Sequence, residues 1–193
     1  MINVNNKEKF FYFTNKFNDD IKNKFSKFKN LSIIFTISDN KKIDLNEFHK
    51  IKNFCKKNNL KIYYPDNQNQ AINLRANGLF LTSKNKKTLN PFKKAFKIIG
   101  SAHNQKDFFI KRRQGCELIF LSPLFNNYKY SNNKILGIIK FNLYKKYWNK
   151  PIAALGGVNN QNYRKVSMTK SCAVGFINWM RTIKKSPPTF FLK

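Results

Sequence analysis

The chain has 193 residues, with 41% hydrophobic and 16% aromatic residues, 20 of them Phe. At roughly 100–200 residues per domain this is one domain with one core, and the apolar content excludes a disordered chain. The 38 Lys and Arg against 9 Asp and Glu leave a formal charge of +29, which raises nucleic acid as a partner. The cations are spread evenly along the chain, however, and Lys, Asn, Ile, Phe and Tyr are over-used together, the pattern that drift in an AT-rich coding sequence produces. Nucleic acid is therefore not the expected partner, although a positive surface steers small anions as well. Cys55, Cys116 and Cys172 are widely separated, with no zinc-ligand spacing, and read as small core residues. No run approaches the roughly 18–20 apolar residues of a membrane span, and the N-terminus lacks a signal-peptide pattern. The expected location is the cytoplasm.

Eight short apolar runs follow in chain order: FFYFT (10–14), LSIIFTI (31–37), LKIYY (60–64), GLFLT (78–82), KIIGS (97–101), LIFLS (118–122), PIAAL (151–155) and AVGFI (173–177). Continuous apolar runs are the mark of parallel strands covered on both faces. Between them lie helix patterns. From Asp44 to Asn59, Leu45, Phe48, Ile51, Phe54 and Cys55 recur three or four apart behind an Asp cap. A second helix is predicted over Asn104 to Gln114, stopped by Gly115, and a third over Leu136 to Trp148. Eight strands alternating with helices predict a single compact (β/α)8 TIM barrel over residues 1–193, with 185–193 as a tail; a doubly wound open sheet is the competing topology.

In such a barrel the chemistry sits on the loops after the strands, and a phosphate commonly lies after strands seven and eight. Strand seven runs into Gly156 and Gly157, which let backbone N–H groups approach an anion; strand eight carries Gly175 and runs into Ile177 and Asn178. The competing reading is a plain glycine turn. His103 is a candidate acid–base group or a cap for the helix that starts near Asn104, and His49 is a polar-face residue. No acidic residue follows Glu117, so paired-carboxylate chemistry is confined to the first half. There Asp66 alone falls at a strand end on the site side, with an N-cap for a helix over Asn67 to Leu74 as its alternative role.

Residues 60–180 resemble the thiamine-phosphate synthase superfamily, which includes the thiazole tautomerase TenI. PDNQNQAINLRANGLFLTS (65–83), IIGSAHN (98–104), GCELIFLSPLF (115–125) with the following Leu136-Gly137, KPIAALGGVN (150–159) and CAVGFINWM (172–180) match its elements in order. The resemblance implies a barrel fold and a site for a phosphorylated thiazole, with Gly156, Gly157, Gly175, Ile177 and Asn178 around the phosphate and Ser101 and His103 in a Ser-x-His element. In the tautomerase relatives that His is the acid–base group. The synthase reaction also needs a grip on a diphosphate. Its Gln-x-Arg-x-Lys element would lie in LSIIFTISDN, where no Arg or Lys occurs, and its Thr-x-Thr-Lys loop becomes Asn127, Tyr128, Lys129, Tyr130. The family's His and Gln after strand four are Phe80 and Ser83, and the Asn before Asp66 is Pro65. Magnesium is implied only in part, because Asp66 matches one of its carboxylates while the other position carries Asn85. The phosphate half of the site is kept, with Asn127 and Lys129 as further binding candidates, and the diphosphate half is largely missing.

Overall fold

The computed structural model describes residues 9–16, 25, 30–37, 43–89, 96–126 and 135–178. Its strands are β1 Phe10–Thr14, β2 Leu31–Phe35, β3 Lys61–Pro65, β4 Gly78–Leu81, β5 Lys97–Ala102, β6 Leu118–Leu121, β7 Ile152–Ala154 and β8 Ala173–Phe176. All eight are parallel and each pairs with the next; β8 closes on β1 through Phe10↔Val174, Phe11↔Gly175 and Tyr12↔Phe176. The expected barrel is therefore present, and the open doubly wound sheet is excluded by that closure. Helices α1 Leu45–Lys57, α2 Gln68–Asn73, α3 Gln105–Arg113, α4 Gly137–Lys146 and α5 Tyr163–Val166 lie between strands.

The helix starts follow from local chemistry. Asp44, Asn67 and Asn104 each accept a hydrogen bond from the backbone N–H three residues on, which satisfies one of the donors that a helix start leaves unpaired. The cap of α2 is thus Asn67, and the alternative that Asp66 caps this helix is corrected. Likewise Asn104, not the His103 ring, caps α3. Gly115 follows the end of α3 at φ 77°, the left-handed position expected of a stop. The four-residue α5 has no apolar periodicity to announce it.

Side chains alternate between two cores. Phe10, Tyr12, Ile33, Tyr64 and Leu79 face the helices, whereas Phe11, Phe13, Ile34, Tyr63, Phe80, Ile99, Leu118, Phe120, Ala153 and Ala173 fill the barrel. The interior phenylalanines come from β1, β4 and β6, and the small residues Ala153, Ala173 and Gly175 from β7 and β8. Gly175 is the clearest case, because a Cβ there would stand 2.7 Å from the Phe13 ring and 3.1 Å from that of Phe120. The rings occupy the volume that β7 and β8 leave open, which is how a barrel reaches close packing with uneven side chains. Among the described residues no helix is long and apolar enough to cross a membrane. Cys55 and Cys116 are buried, Cys172 half-buried, and all are free thiols. Burial pushes the thiols of Cys55 and Cys116 up to about 12, so they are inert packing groups at neutral pH.

Candidate active site at the barrel mouth

The C-terminal ends of the strands form the mouth. Its floor is a trio of rings: Phe13 meets Phe80 and Phe120 edge-on at centroid distances of 5.4 and 5.3 Å, and Phe80 lies 6.3 Å from Phe120. Phe80, which stands where the resemblance calls for a His, is an apolar floor residue and only 4% exposed. Ser101 and Ser122 are buried, and His103 half-buried, on the neighbouring β5 and β6 ends.

On the β7–β8 side, Gly156 and Gly157 both have positive φ, 86° and 74°. Their Cα atoms press on the chain after β6: a Cβ on Gly156 would lie 2.7 Å from Ser122 Oγ, and one on Gly157 would collide with the Phe125 carbonyl oxygen. Leu124 N–H donates to the Leu155 carbonyl at 2.8 Å and Phe125 N–H to the Gly156 carbonyl at 3.1 Å, while Asn162 Nδ2 donates to the Gly157 carbonyl at 2.7 Å. The carbonyls of this turn are therefore engaged. The N–H groups of Gly156 and Gly157 on this turn, and of Ile177 and Asn178 just after β8, meet no acceptor among the described residues. Ile177 and Asn178 are exposed, whereas Gly175 is buried under Phe13 and contributes shape rather than a donor surface. Asn127 and Lys129 lie outside the described residues.

His103 joins this region from β5. Its Nδ1 is 2.9 Å from the Ser122 carbonyl oxygen. A carbonyl only accepts, so Nδ1 carries a proton, and the neutral tautomer that makes this bond has its lone pair on Nε2. The His103 backbone N–H donates to Asp107 Oδ2 at 3.3 Å, which holds the strand end to the first turn of α3. His49, by contrast, is an exposed residue of α1.

On the β3–β4 side the polar groups satisfy one another. Asp66 has φ 52°, and its carboxylate accepts from Thr82 N–H and Thr82 Oγ1, both at 2.8 Å. Asn85 Nδ2 donates to the Asp66 carbonyl at 3.2 Å, and its Oδ1 accepts from Lys87 N–H at 3.0 Å. Beneath them lies a residue whose burial the helix pattern did not announce. Lys111 of α3 has 0% exposure, and its Nζ donates to the Asn85 carbonyl at 2.5 Å and to Gln114 Oε1 at 2.9 Å. Desolvation pulls its ammonium below the ordinary lysine range, opposed by the charges of Asp66 and Asp107. The signal in the sequence was Gly100, where a Cβ would stand 2.9 Å from Lys111 Cδ, but a glycine does not say whose stem it admits.

A sequence profile of the thiamine monophosphate synthase family matches residues 35–183. The chain belongs to that family. It is 34% identical over 136 residues to a thiamine-phosphate synthase of Prochlorococcus marinus strain AS9601, an alignment that covers 67% of this chain and 38% of that protein. A second thiamine-phosphate synthase, from strain SARG of the same species, is 29% identical over 139 residues, covering 68% of this chain and 39% of the relative. The chain thus spans about two fifths of the length of the curated relatives it matches. Among solved structures, thiamine phosphate pyrophosphorylase from Pyrococcus furiosus superposes with a TM-score of 0.69 at 14% identity, covering 90% of this chain and 87% of that one. The corresponding protein from Bacteroides thetaiotaomicron gives 0.61 at 14% identity, over 96% and 91%. Both likenesses support the barrel.

Proposed function

We propose that the barrel mouth of this family member binds a thiazole bearing a phosphate ester, with the phosphate between the β7 and β8 loops and the ring over the phenylalanine floor. The observation that carries this reading is the set of unengaged N–H groups on Gly156, Gly157, Ile177 and Asn178. Backbone donors with no internal acceptor, two of them on a turn whose carbonyls are tied back, can take an anion without first breaking bonds within the chain. The net charge of +29 adds long-range attraction for such a ligand. An apolar floor of Phe13, Phe80 and Phe120 suits a flat ring better than a second charged group. Titration of the 15N-labelled chain with the phosphorylated thiazole should shift the amide resonances of those four residues. An equal response to the unphosphorylated thiazole, or shifts confined to other residues, would remove the reading.

The His103 geometry favours isomerisation over coupling to a diphosphate. With Nδ1–H committed to Ser122, Nε2 is the atom that takes a proton from one ring position and returns it to another, with no net change in protons. Coupling would require cations around a diphosphate, and the described end of β2, Thr36 and Ile37, supplies none. His103→Ala should lower isomerisation of a thiazole carboxylate phosphate by about 10²-fold or more; unchanged turnover would exclude this role. Formation of thiamine phosphate from the two synthase precursors would overturn the preference for isomerisation.

A further inference from the structure

We infer that Lys111 is an internal cation that, with Gln114, positions the loop 82–89 and makes the β3–β4 corner of the mouth independent of a divalent metal. The family chemistry places magnesium at the Asp66 and Asn85 positions, and the side chains here do not fit it. Both Asp66 carboxylate oxygens turn back to Thr82, one to its N–H and one to its hydroxyl. Asn85 is uncharged; its amide nitrogen faces the Asp66 carbonyl and its amide oxygen takes the Lys87 N–H. A hard divalent cation needs several oxygen donors and gains most from anionic ones, and only one carboxylate is at hand. Among the described residues no group of three or more His, Cys, Asp or Glu side chains could hold a metal ion.

A positive charge is supplied instead from below. The Lys111 stem passes Gly100, and its Nζ reaches the Asn85 carbonyl. Gln114, buried beside it, accepts from Nζ through Oε1 and donates through Nε2 to the Lys87 carbonyl at 2.7 Å and, at 3.4 Å, to the Asn85 carbonyl and Oδ1. Lys111 and Gln114, one on α3 and one at its C-terminal end, thus hold the carbonyls of residues 85 and 87. Metal coordination would hold the same loop by its side chains. A buried ammonium with hydrogen-bond acceptors is a fixed charge, and a dication brought to the same corner would meet its repulsion.

The inference does not rest on the ligand proposed above. Its test is a magnesium titration of the full chain followed at the amide resonances of Asp66, Thr82 and Asn85, with the affinity for inorganic phosphate measured in parallel. No saturable shift is expected, and phosphate affinity should change by less than about twofold. Saturable shifts at Asp66 and Asn85, or a gain in phosphate affinity of about tenfold with magnesium, would overturn it. The amides decide the matter even if inorganic phosphate fails to bind, a failure that counts against the anion site and not against this inference. In Lys111→Met, hydrogen-exchange protection of the Asn85 and Lys87 amides should fall by about tenfold while that of Leu155 is kept; unchanged protection at 85 and 87 ends the positioning role. Should that variant not fold, Gln114→Met removes the second prong and carries the same expectation.

Discussion

The two sides of the barrel mouth are built on opposite rules. Around Asp66, Thr82, Asn85, Lys111 and Gln114 donors and acceptors are matched within the chain. Around Gly156, Gly157, Ile177 and Asn178 the carbonyls of the glycine turn are tied back and the N–H groups are left over. A closed network stabilises and orients; an open set of donors waits for an acceptor from outside. The proposed ligand binding at β7 and β8 and structural support at β3 to β5 rest on that difference.

The comparison breaks most readily at Gly157. An alanine there is expected to cost about 1–3 kcal/mol for holding a side chain at φ 74° and about 1–3 kcal/mol more for the collision with the Phe125 carbonyl. Denaturant unfolding measures the sum, and a loss below about 1 kcal/mol would mean that the turn relaxes freely. Alkaline pH acts on the cores below both sides. The thiols of Cys55 and Cys116 rise from 9.0 to about 12 in the folded chain, so the folded state keeps protons that the unfolded chain sheds. Their contribution is fully present below pH 9.0 and lost as pH rises towards about 12, with a slope of up to about 1.4 kcal/mol per pH unit for each group. Lys111 has the opposite sign. Its lowered folded-state pKa makes the buried charge a cost that is relieved as pH rises towards its ordinary 10.5. Melting curves from pH 8 to 11 for the parent and for Lys111→Met should therefore diverge, the parent losing less stability over that interval.

A smaller effect sharpens the closed side. Thr82→Val removes the hydroxyl donor to Asp66 Oδ2 while the Thr82 N–H bond to Oδ1 remains, and should cost about 1–2 kcal/mol without altering anion binding at β7 and β8. Weakened binding in that variant would show that the two sides are coupled. The smallest effect is expected at Ile177. Its side chain is 48% exposed and only its backbone is asked to bind, so Ile177→Ala should leave both stability and phosphate affinity nearly unchanged.

The architecture was legible because each strand is buried on both faces and so appears as an unbroken apolar run. The eight runs coincide with the eight strands, apart from ends: β2 stops at Phe35 rather than Ile37, and β7 occupies only Ile152–Ala154. The helix cap Asp44 was legible for a local reason, a short polar side chain placed three residues before the N–H it takes, whereas at α3 the same geometry belongs to Asn104 and not to the His103 candidate. The Gly-Gly turn could be recognised as a place of close approach, since two positive φ angles admit little else.

What local chemistry could not supply was the partner of each polar group across the barrel. Asp66 precedes a helix and carries a capping side chain, yet its carboxylate goes to Thr82, 16 residues away, because β3 and β4 are neighbours. His103 stands beside a helix start, yet its ring is claimed by the Ser122 carbonyl just after β6. Lys111, an ordinary helical lysine by sequence, becomes a buried cation because α3 packs over Gly100 and brings its stem beneath Asn85. Strands and turns are set by interactions within a few residues, so the barrel, its rim and the glycine turn could be read from the order of residues alone. The division of that rim into a closed, cation-braced side and an open donor side arises only when folding matches acceptors to donors far apart in the chain.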